Sequence, residues 1–321
     1  MNYRNLGRTG LKVSELCLGT MQFGWSVSET DSYKVLSAAF AAGINFIDTA
    51  NIYSGGVIDN PFGLAETIIG KWIKRYNIPR DQLVIATKVR GQMGDNPNDK
   101  GLSRKHIFDA IKGSLQRLQI DTIDLYQTHW ADDETPIDET LRALDDLVRQ
   151  GYTRYIGCSN YTAVGLIESL WSSDRHNLTR YDSLQPHYSL VHRSEYEREM
   201  AIICQKYGLG VLPYSPLAAG FLTGKYHKDK PLPASSRLNT VRKHMTEQNW
   251  VVLDTLESLG KARGRSISQM ALGWLLSRPE VTSPIIGPRN IKQLNDNIRA
   301  VGLKLSNNEM EVMQNVSRWK S

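Results

Sequence analysis

Four side chains between positions 48 and 129 have types that together make a proton donor. Asp48 closes the apolar run in FIDTANIYSGG, Tyr53 follows it in the next loop, Lys88 ends LVIATK, and His129 ends IDLYQTH. A phenol has a pKa near about 10, too high to exchange protons freely at neutral pH. An ammonium about 4 Å away, at an effective dielectric near 20, favours the phenolate by roughly 4 kcal/mol, or about 3 pKa units. Desolvation of the phenol opposes this, so the expected lowering is smaller. Asp48 can pair with Lys88 and keep it charged in a pocket. His129 can hydrogen-bond a carbonyl oxygen and orient it. The set is a general acid aimed at an oxygen that gains negative charge, which is what hydride reduction of a C=O requires.

Taken singly, each residue has a plainer account. Asp48 is a turn or helix cap, Tyr53 packs in its loop, Lys88 is a solvated strand end, and His129 is a hydrogen-bonded structural histidine. Those accounts do not explain why an acid, a phenol, an ammonium and an imidazole fall at three successive strand ends. A fold that gathers strand ends explains it. The glycines after Tyr53, Gly55 and Gly56, give the chain the backbone freedom to turn away from a pocket there.

The elements that must position these groups alternate along the whole chain. After a hairpin candidate (YRNL, turn GRTG, LKV), short apolar runs occur at 16–19, 45–48, 83–88, 123–129, 155–159, 182–186, 210–215 and 283–287. Such runs are typical of strands buried in parallel sheets. Helical patterns lie between them. In TPIDETLRALDDLVRQG, Thr135 is placed to cap, Pro136 suits the first turn, Ile137, Leu141, Leu144 and Val148 share a face, and Gly151 suits a left-handed stop. DSYKVLSAAFAAG turns Val35, Leu36, Ala39 and Phe40 inward and ends at Gly43; SRKHIFDAIKGSLQRLQ puts Ile107, Ile111, Leu115 and Leu118 on a stripe.

Eight such alternations predict an α/β fold: a single (β/α)8 TIM barrel over 1–321, with an N-terminal β-hairpin and long loops at its C-terminal rim. A doubly wound sheet would carry GxGxxG after its first strand, and the chain has none there. GLGVLP precedes a strand, and GFLTGKY is too short for a P-loop and has Tyr226 where a metal-binding hydroxyl belongs. The long loops are RGQMGDNPNDKG and the stretch from Ala218 to Gln248, which are candidate substrate walls or a lid.

Composition narrows the class. The 321 residues are 40% hydrophobic and 22% charged, enough for a large core, and no run reaches the roughly 20 apolar residues of a membrane span. The start, MNYRNLGRTGLKV, has no apolar signal core, so a cytoplasmic protein is expected. Cys17, Cys158 and Cys204 lie far apart, giving no metal spacing and no disulfide framework. The net charge of +6 is scattered, and VRKH at 241–244 is read as solvated surface, not a nucleic-acid patch.

With these residues in view, the chain resembles the aldo-keto reductases over essentially its whole length. The match is carried by LGRTGLKVSELCLGTMQFG, NFIDTANIY, LVIATK, LYQTHW, IGCSN, PYSPLAAGFLTGKY and PIIGPRNIKQLNDN. The resemblance implies a reductase that binds NAD(P)H extended across the barrel rim, with Asp48, Tyr53, Lys88 and His129 catalytic and Tyr53 the proton donor. It implies Thr20 and Met21 near the nicotinamide ribose, Ser159, Asn160 and Gln185 on the carboxamide, and Tyr214 stacked on the ring. Ser215, Leu217, Gly220 and Lys225 would line the pyrophosphate; Gly287, Arg289, Gln293 and Asn297 would meet the adenosine end; Asp48, Pro216 and Ile286 are further cofactor contacts. Many members have a Lys-Ser pair and a later Arg in that last segment; here Gly287 and Pro288 replace the pair and Gln293 the arginine. Arg289 is then the guanidinium for a 2′-phosphate, so NADP(H) is expected ahead of NAD(H).

The leading expectation is an oxidoreductase that reduces aldehydes or ketones to alcohols. The alternative is a cofactor-binding regulatory subunit, since PYSPLAAGFLTGKY also resembles the potassium-channel β subunits. Those carry Asn at the position of His129 and amino-terminal extensions. A barrel hydrolase using Asp132, Asp133 and Glu134 is disfavoured, because these acids precede a helix and suit its dipole. Trp25, Tyr53 and Trp130 are the substrate candidates, and no metal is expected. The partner is a small carbonyl compound, with neither nucleic acid nor membrane; its identity and the oligomeric state are open.

Overall fold

The computed structural model describes residues 1–55, 60–228, 230–232 and 238–319. An antiparallel hairpin, β1 (Tyr3–Asn5) and β2 (Lys12–Ser14), turns through GRTG as expected. Eight parallel strands follow: β3 (Cys17–Gly19), β4 (Phe46–Asp48), β5 (Val84–Val89), β6 (Ile123–Thr128), β7 (Thr153–Ser159), β8 (Ser183–Gln185), β9 (Gly210–Val211) and β10 (Ile285–Ile286). They pair in chain order from β3 to β9, and β10 pairs with β3. The two remaining edges meet: Val211 bridges Val281, and Thr282 N and Ile285 N donate to Val211 O and Pro213 O at 2.9 and 2.8 Å. The result is a (β/α)8 barrel.

Helices α1 (Glu29–Ala41), α2 (Leu64–Arg75), α3 (Arg104–Leu118), α4 (Ile137–Arg149), α5 (Ala163–Arg175) and α6 (Ala201–Tyr207) make the crossovers up to β9. Then come α7 (Leu238–Arg242), α8 (Glu247–Arg263), α9 (Ile267–Leu276), α10 (Ile291–Ile298) and α11 (Asn307–Val316). Their starts follow local chemistry, with Ser103, Thr162, Ser266 and Ser306 each accepting an N–H from the first turn. Two starts differ from expectation. Helix α1 begins before the apolar pattern does, because Ser28 caps it through Asp31 N. In α4 the capping position is Pro136, and Thr135 instead donates to Asp132 Oδ2 at 2.8 Å, a carboxylate already anchored by Leu102 N. Gly43 and Gly151 take positive φ of 84° and 78° just past α1 and α4, as predicted.

Alternation along each strand separates two cores. Cys17, Phe46, Val84, Ala86, Leu125, Leu212 and Ile285 fill the barrel, with Leu6 and Val13 of the hairpin region closing its floor. Leu18, Ile47, Ile85, Val89, Tyr126, Ile156 and Leu184 face outward into the helix layer. The floor is tight at Gly7, with φ 54° and room for no Cβ, since one would sit 2.4 Å from Gly210 N.

Two expectations about the loops change. The stretch from Ala218 to Gln248 contains a 3-10 turn at Ala218–Thr223, helix α7 and the start of α8, while its residues 229 and 233–237 lie outside the described residues. VRKH is only half solvated: Arg242 and Lys243 are exposed, but Val241 and His244 are buried. The three cysteines are free and buried. Among the described residues no helix is long and apolar enough to cross a membrane, and no cluster of metal-ligating side chains occurs.

The floor yields a stability prediction. Leu6→Ala is expected to cost about 2–5 kcal/mol, read as a lower urea midpoint, while Ile202→Ala at an exposed site changes it by less than about 0.5 kcal/mol. Equal midpoints for the two variants would mean that the hairpin does not seal the barrel.

Candidate active site

The site is built on the buried ends of β4 and β5. The strands pair with Asp48 opposite Ala86, and Lys88 follows two residues later on the same inner face. Lys88 Nζ donates to Asp48 Oδ1 at 2.5 Å, Thr49 O at 2.9 Å and Tyr53 Oη at 3.1 Å, so all three ammonium hydrogens are used. Lys88 is wholly buried and Asp48 nearly so. Burial alone would depress the lysine, but Asp48 and Tyr53 outweigh it and raise it above its ordinary value, so it stays charged.

Tyr53 stands in the turn after β4, where Ala50 O accepts its N–H at 3.1 Å. Ser54, at φ 66°, ties that turn to Phe23 O through its hydroxyl. Gly55 packs so closely on Phe62 that a Cβ would clash, and Gly56 lies outside the described residues. The expected lowering of the Tyr53 pKa is overturned. Burial of the phenol pushes it up, Lys88 offsets only part of this, and the Asp48 carboxylate adds to the rise. The phenol is therefore protonated at neutral pH, and because Lys88 occupies its oxygen as a donor, its own hydrogen is left to be given elsewhere.

His129 follows β6, with its ring edge-on to Tyr53 at 5.8 Å and tilted against Trp130 at 4.6 Å. Burial, then the Lys88 charge, holds its pKa well below the ordinary histidine value, so the imidazole is neutral. Its Nδ1 is buried without a hydrogen-bond partner among the described residues, and the residue lines the cleft described next. Trp130 is held on one side by the Arg90 guanidinium, 4.9 Å from its ring.

These groups open onto a cleft of about 1250 Å³ across the rim. At its inner end the other Asp48 oxygen accepts from Gln185 Nε2 at 2.9 Å and Gln127 Nε2 at 3.1 Å. Ser159 Oγ donates to Gln185 O at 2.8 Å. Asn160, at φ 54°, is more committed than expected: its amide nitrogen donates to His129 O and Ser159 Oγ, and its oxygen accepts from Tyr214 Oη at 2.8 Å. Tyr214 is backed by His187, parallel to within 9° at 5.0 Å, which in turn stacks on His192 at 3.7 Å. Burial, then His192 and His244, brings the His187 pKa down to about 4, so this support is uncharged.

The outer end is shaped by left-handed backbone. Ser215, Ala218, Ala219 and Gly220 all have positive φ, and the Lys225 ammonium sits where a Cβ on Gly220 would be 3.2 Å away. Opposite lie Ile286, Gly287 and Arg289, leading into α10, whose Asn290 caps Gln293 N. Gln293 Oε1 accepts from Arg289 N at 2.8 Å, so the glutamine in the arginine's place shapes the turn before the helix.

The cleft is lined by Thr20, Met21, Asp48, Tyr53, His129, Trp130, Ser159, Asn160, Gln185, Tyr214, Ser215, Pro216, Leu217, Gly220, Lys225, Ile286, Gly287, Arg289, Gln293 and Asn297, all named from sequence. Lys88 lies beneath its surface. Of the two tryptophans expected at the substrate space, Trp130 lines the cleft, whereas Trp25 is not among the lining residues and stands exposed. Sequence reasoning missed Gln127, although it precedes His129 by two residues in a strand and so shares its inner face. It also missed Gln22, whose amide donates to Gly19 O and Pro288 O and ties the first rim loop to the last.

Residues 15–318 match the family model described as Aldo/keto reductase family. The chain is 39% identical to "Uncharacterized oxidoreductase YrpG" of Bacillus subtilis (strain 168), covering 98% of this chain and 96% of the relative. It is 35% identical to the "Probable voltage-gated potassium channel subunit beta" of Oryza sativa subsp. japonica, over 94% and 91% of the two chains. It is 33% identical to "Aldo-keto reductase AFTS1" of Alternaria alternata, over 99% and 92%.

The buried pair makes a prediction independent of activity. Asp48→Asn leaves the ammonium without its countercharge and is expected to cost about 3–5 kcal/mol in thermal or urea unfolding. Adding Lys88→Met should return most of that loss. A double variant no more stable than the single would show that the pair is not what the inner face depends on.

Proposed function

The chain belongs to the aldo/keto reductase family of oxidoreductases, and we propose that it reduces aldehyde or ketone carbonyls to alcohols with NADPH, Tyr53 donating the proton. The observation that carries this reading is the Tyr53 hydroxyl itself. It lines the cleft, receives a hydrogen bond from a buried charged lysine, and keeps its own proton.

The residues present fit a nicotinamide dinucleotide. The cleft, of about 1250 Å³, is lined by amide groups at one end and by cations at the other. Tyr214 offers a ring face braced from behind, suited to stacking. Lys225 over the left-handed turn suits a pyrophosphate as a point charge, and Arg289 beside the start of α10 suits a further phosphate. When bound, the cofactor supplies the hydride for the carbonyl carbon. The chain's part is to hold and protonate the oxygen. His129, neutral, donates from Nε2 and orients the C=O. Tyr53 gives its proton as charge develops, and Lys88 stabilises the phenolate left behind. Asp48 keeps Lys88 charged throughout. Trp130 forms an apolar wall of the substrate space. Association with a membrane channel is the second reading, supported by the 35% identity to the rice relative; turnover separates the two.

Tyr53→Phe is expected to cut NADPH-dependent aldehyde reduction by roughly 10²–10⁴-fold while cofactor affinity is unchanged. Retained turnover would remove Tyr53 as the acid. The pH profile carries a sign. The acid works when protonated and its pKa is raised, so kcat should stay flat through neutral pH and fall only above about 10. No limb from His129 should appear near about 6.5, because that ring is already neutral there. For the cofactor, Arg289→Ala should weaken NADPH roughly tenfold or more and leave NADH within about twofold, the loss of one charged hydrogen-bonding group. An unchanged NADPH/NADH ratio would take Arg289 out of the selectivity argument.

A further inference from the structure

One buried amide lies at the heart of the site without touching the cleft. Gln127 is wholly buried in β6, beside Lys88 on β5 and Gly157 on β7. Its Nε2 donates to Asp48 Oδ2 at 3.1 Å, and its Oε1 accepts from Gln185 Nε2 at 3.2 Å. Gln185 Nε2 also donates to that same Asp48 oxygen at 2.9 Å. An amide nitrogen has two hydrogens, and both of Gln185's are thereby used. Turning the Gln185 amide over would set its oxygen against a carboxylate and against the Gln127 oxygen, with no donor for either. The Gln185 carbonyl oxygen is the atom left for the cleft that this residue lines. The neighbouring strand leaves space for the arrangement: a Cβ on Gly157 would stand 3.4 Å from Gln127 Cγ and 2.3 Å from Ser183 Oγ.

We propose that Gln127 is a positioning residue for cofactor recognition. With Asp48 it locks Gln185 in the orientation whose carbonyl accepts an N–H from the carboxamide of a nicotinamide. This rests on the reading of the cleft as a nicotinamide site. It also ties the two halves of that site to one carboxylate: one Asp48 oxygen holds Lys88 under the proton donor, and the other holds the carboxamide acceptor. The plainer role for Gln127 is to satisfy Asp48 and stabilise the fold, and the two roles make different predictions about ligands.

The test is binding, followed by quenching of tryptophan fluorescence, of NADP⁺ and of its 3-acetylpyridine analogue. The analogue keeps the ring, sugars and phosphates but has a methyl ketone in place of the carboxamide, so it cannot donate. The wild type should prefer NADP⁺ by about tenfold, the scale of one hydrogen bond. Gln127→Met should weaken NADP⁺ by about tenfold and the analogue by less than about twofold. In a Gln185→Met background, Gln127→Met should add no further loss. Equal weakening of both nucleotides, or additive losses in the double variant, would overturn the proposal in favour of a structural role. The wild-type comparison needs no variant, and a wild type that binds both nucleotides equally overturns the proposal by itself. A wild type that binds neither nucleotide overturns the nicotinamide reading of the cleft, and the proposal with it.

Discussion

The ion pair between Lys88 and Asp48 is the interaction on which the rest of the site depends. Both groups are out of water, and the cost of burying two charges is met only where geometry is close and every hydrogen has an acceptor. That condition is satisfied here by the lysine's three bonds and by the two amides on the far carboxylate oxygen. A barrel interior supplies the setting, because alternate residues of neighbouring strands meet there in layers. The lower layers are apolar and sealed by the hairpin. The uppermost layer is polar, and it is there that chemistry becomes possible.

The consequence for Tyr53 is a balance rather than a simple activation. Burial raises the phenol's pKa, Lys88 lowers it, and Asp48 raises it again. The outcome suits the acid proposed for Tyr53, a group that carries its proton to the reaction and becomes an anion only as that proton leaves. A lysine held charged by a neighbouring acid is suited to this, since it stabilises the phenolate without creating one in advance. The neutral His129 beside it avoids a second positive charge in the same small space.

Much of this was legible in the sequence, because strand ends carry their own signature. Apolar runs terminating in Asp48, Lys88 and His129 pointed to the barrel and to the polar groups gathered at its rim, and the glycines after α1 and α4 revealed the helix ends. What stayed hidden depends on contacts between distant segments. The upward shift of Tyr53 needs its degree of burial, which no spacing reports. Asn160 was expected only as a partner for a carboxamide, yet its bonds to His129 O, Ser159 Oγ and Tyr214 Oη join three different strand ends. Thr135 read as a cap until Asp132 competed for its hydroxyl. The histidines stacked behind Tyr214, His187 and His192, come from the segment after β8, with His244 from the turn after α7 set edge-on to His187, and only folding brings them together. Gln127 is the instructive case, since strand alternation alone would have placed it on the inner face with His129.

The most direct measurement is the ionisation of Tyr53 itself, followed by NMR of protein carrying ¹³Cζ-tyrosine and assigned with Tyr53→Phe. The expected result is a phenol that remains protonated from neutral pH to above about 10, and whose pKa rises further when Lys88 is replaced by Met. A Tyr53 that titrates near neutral pH, or whose pKa does not respond to the loss of Lys88, would contradict it.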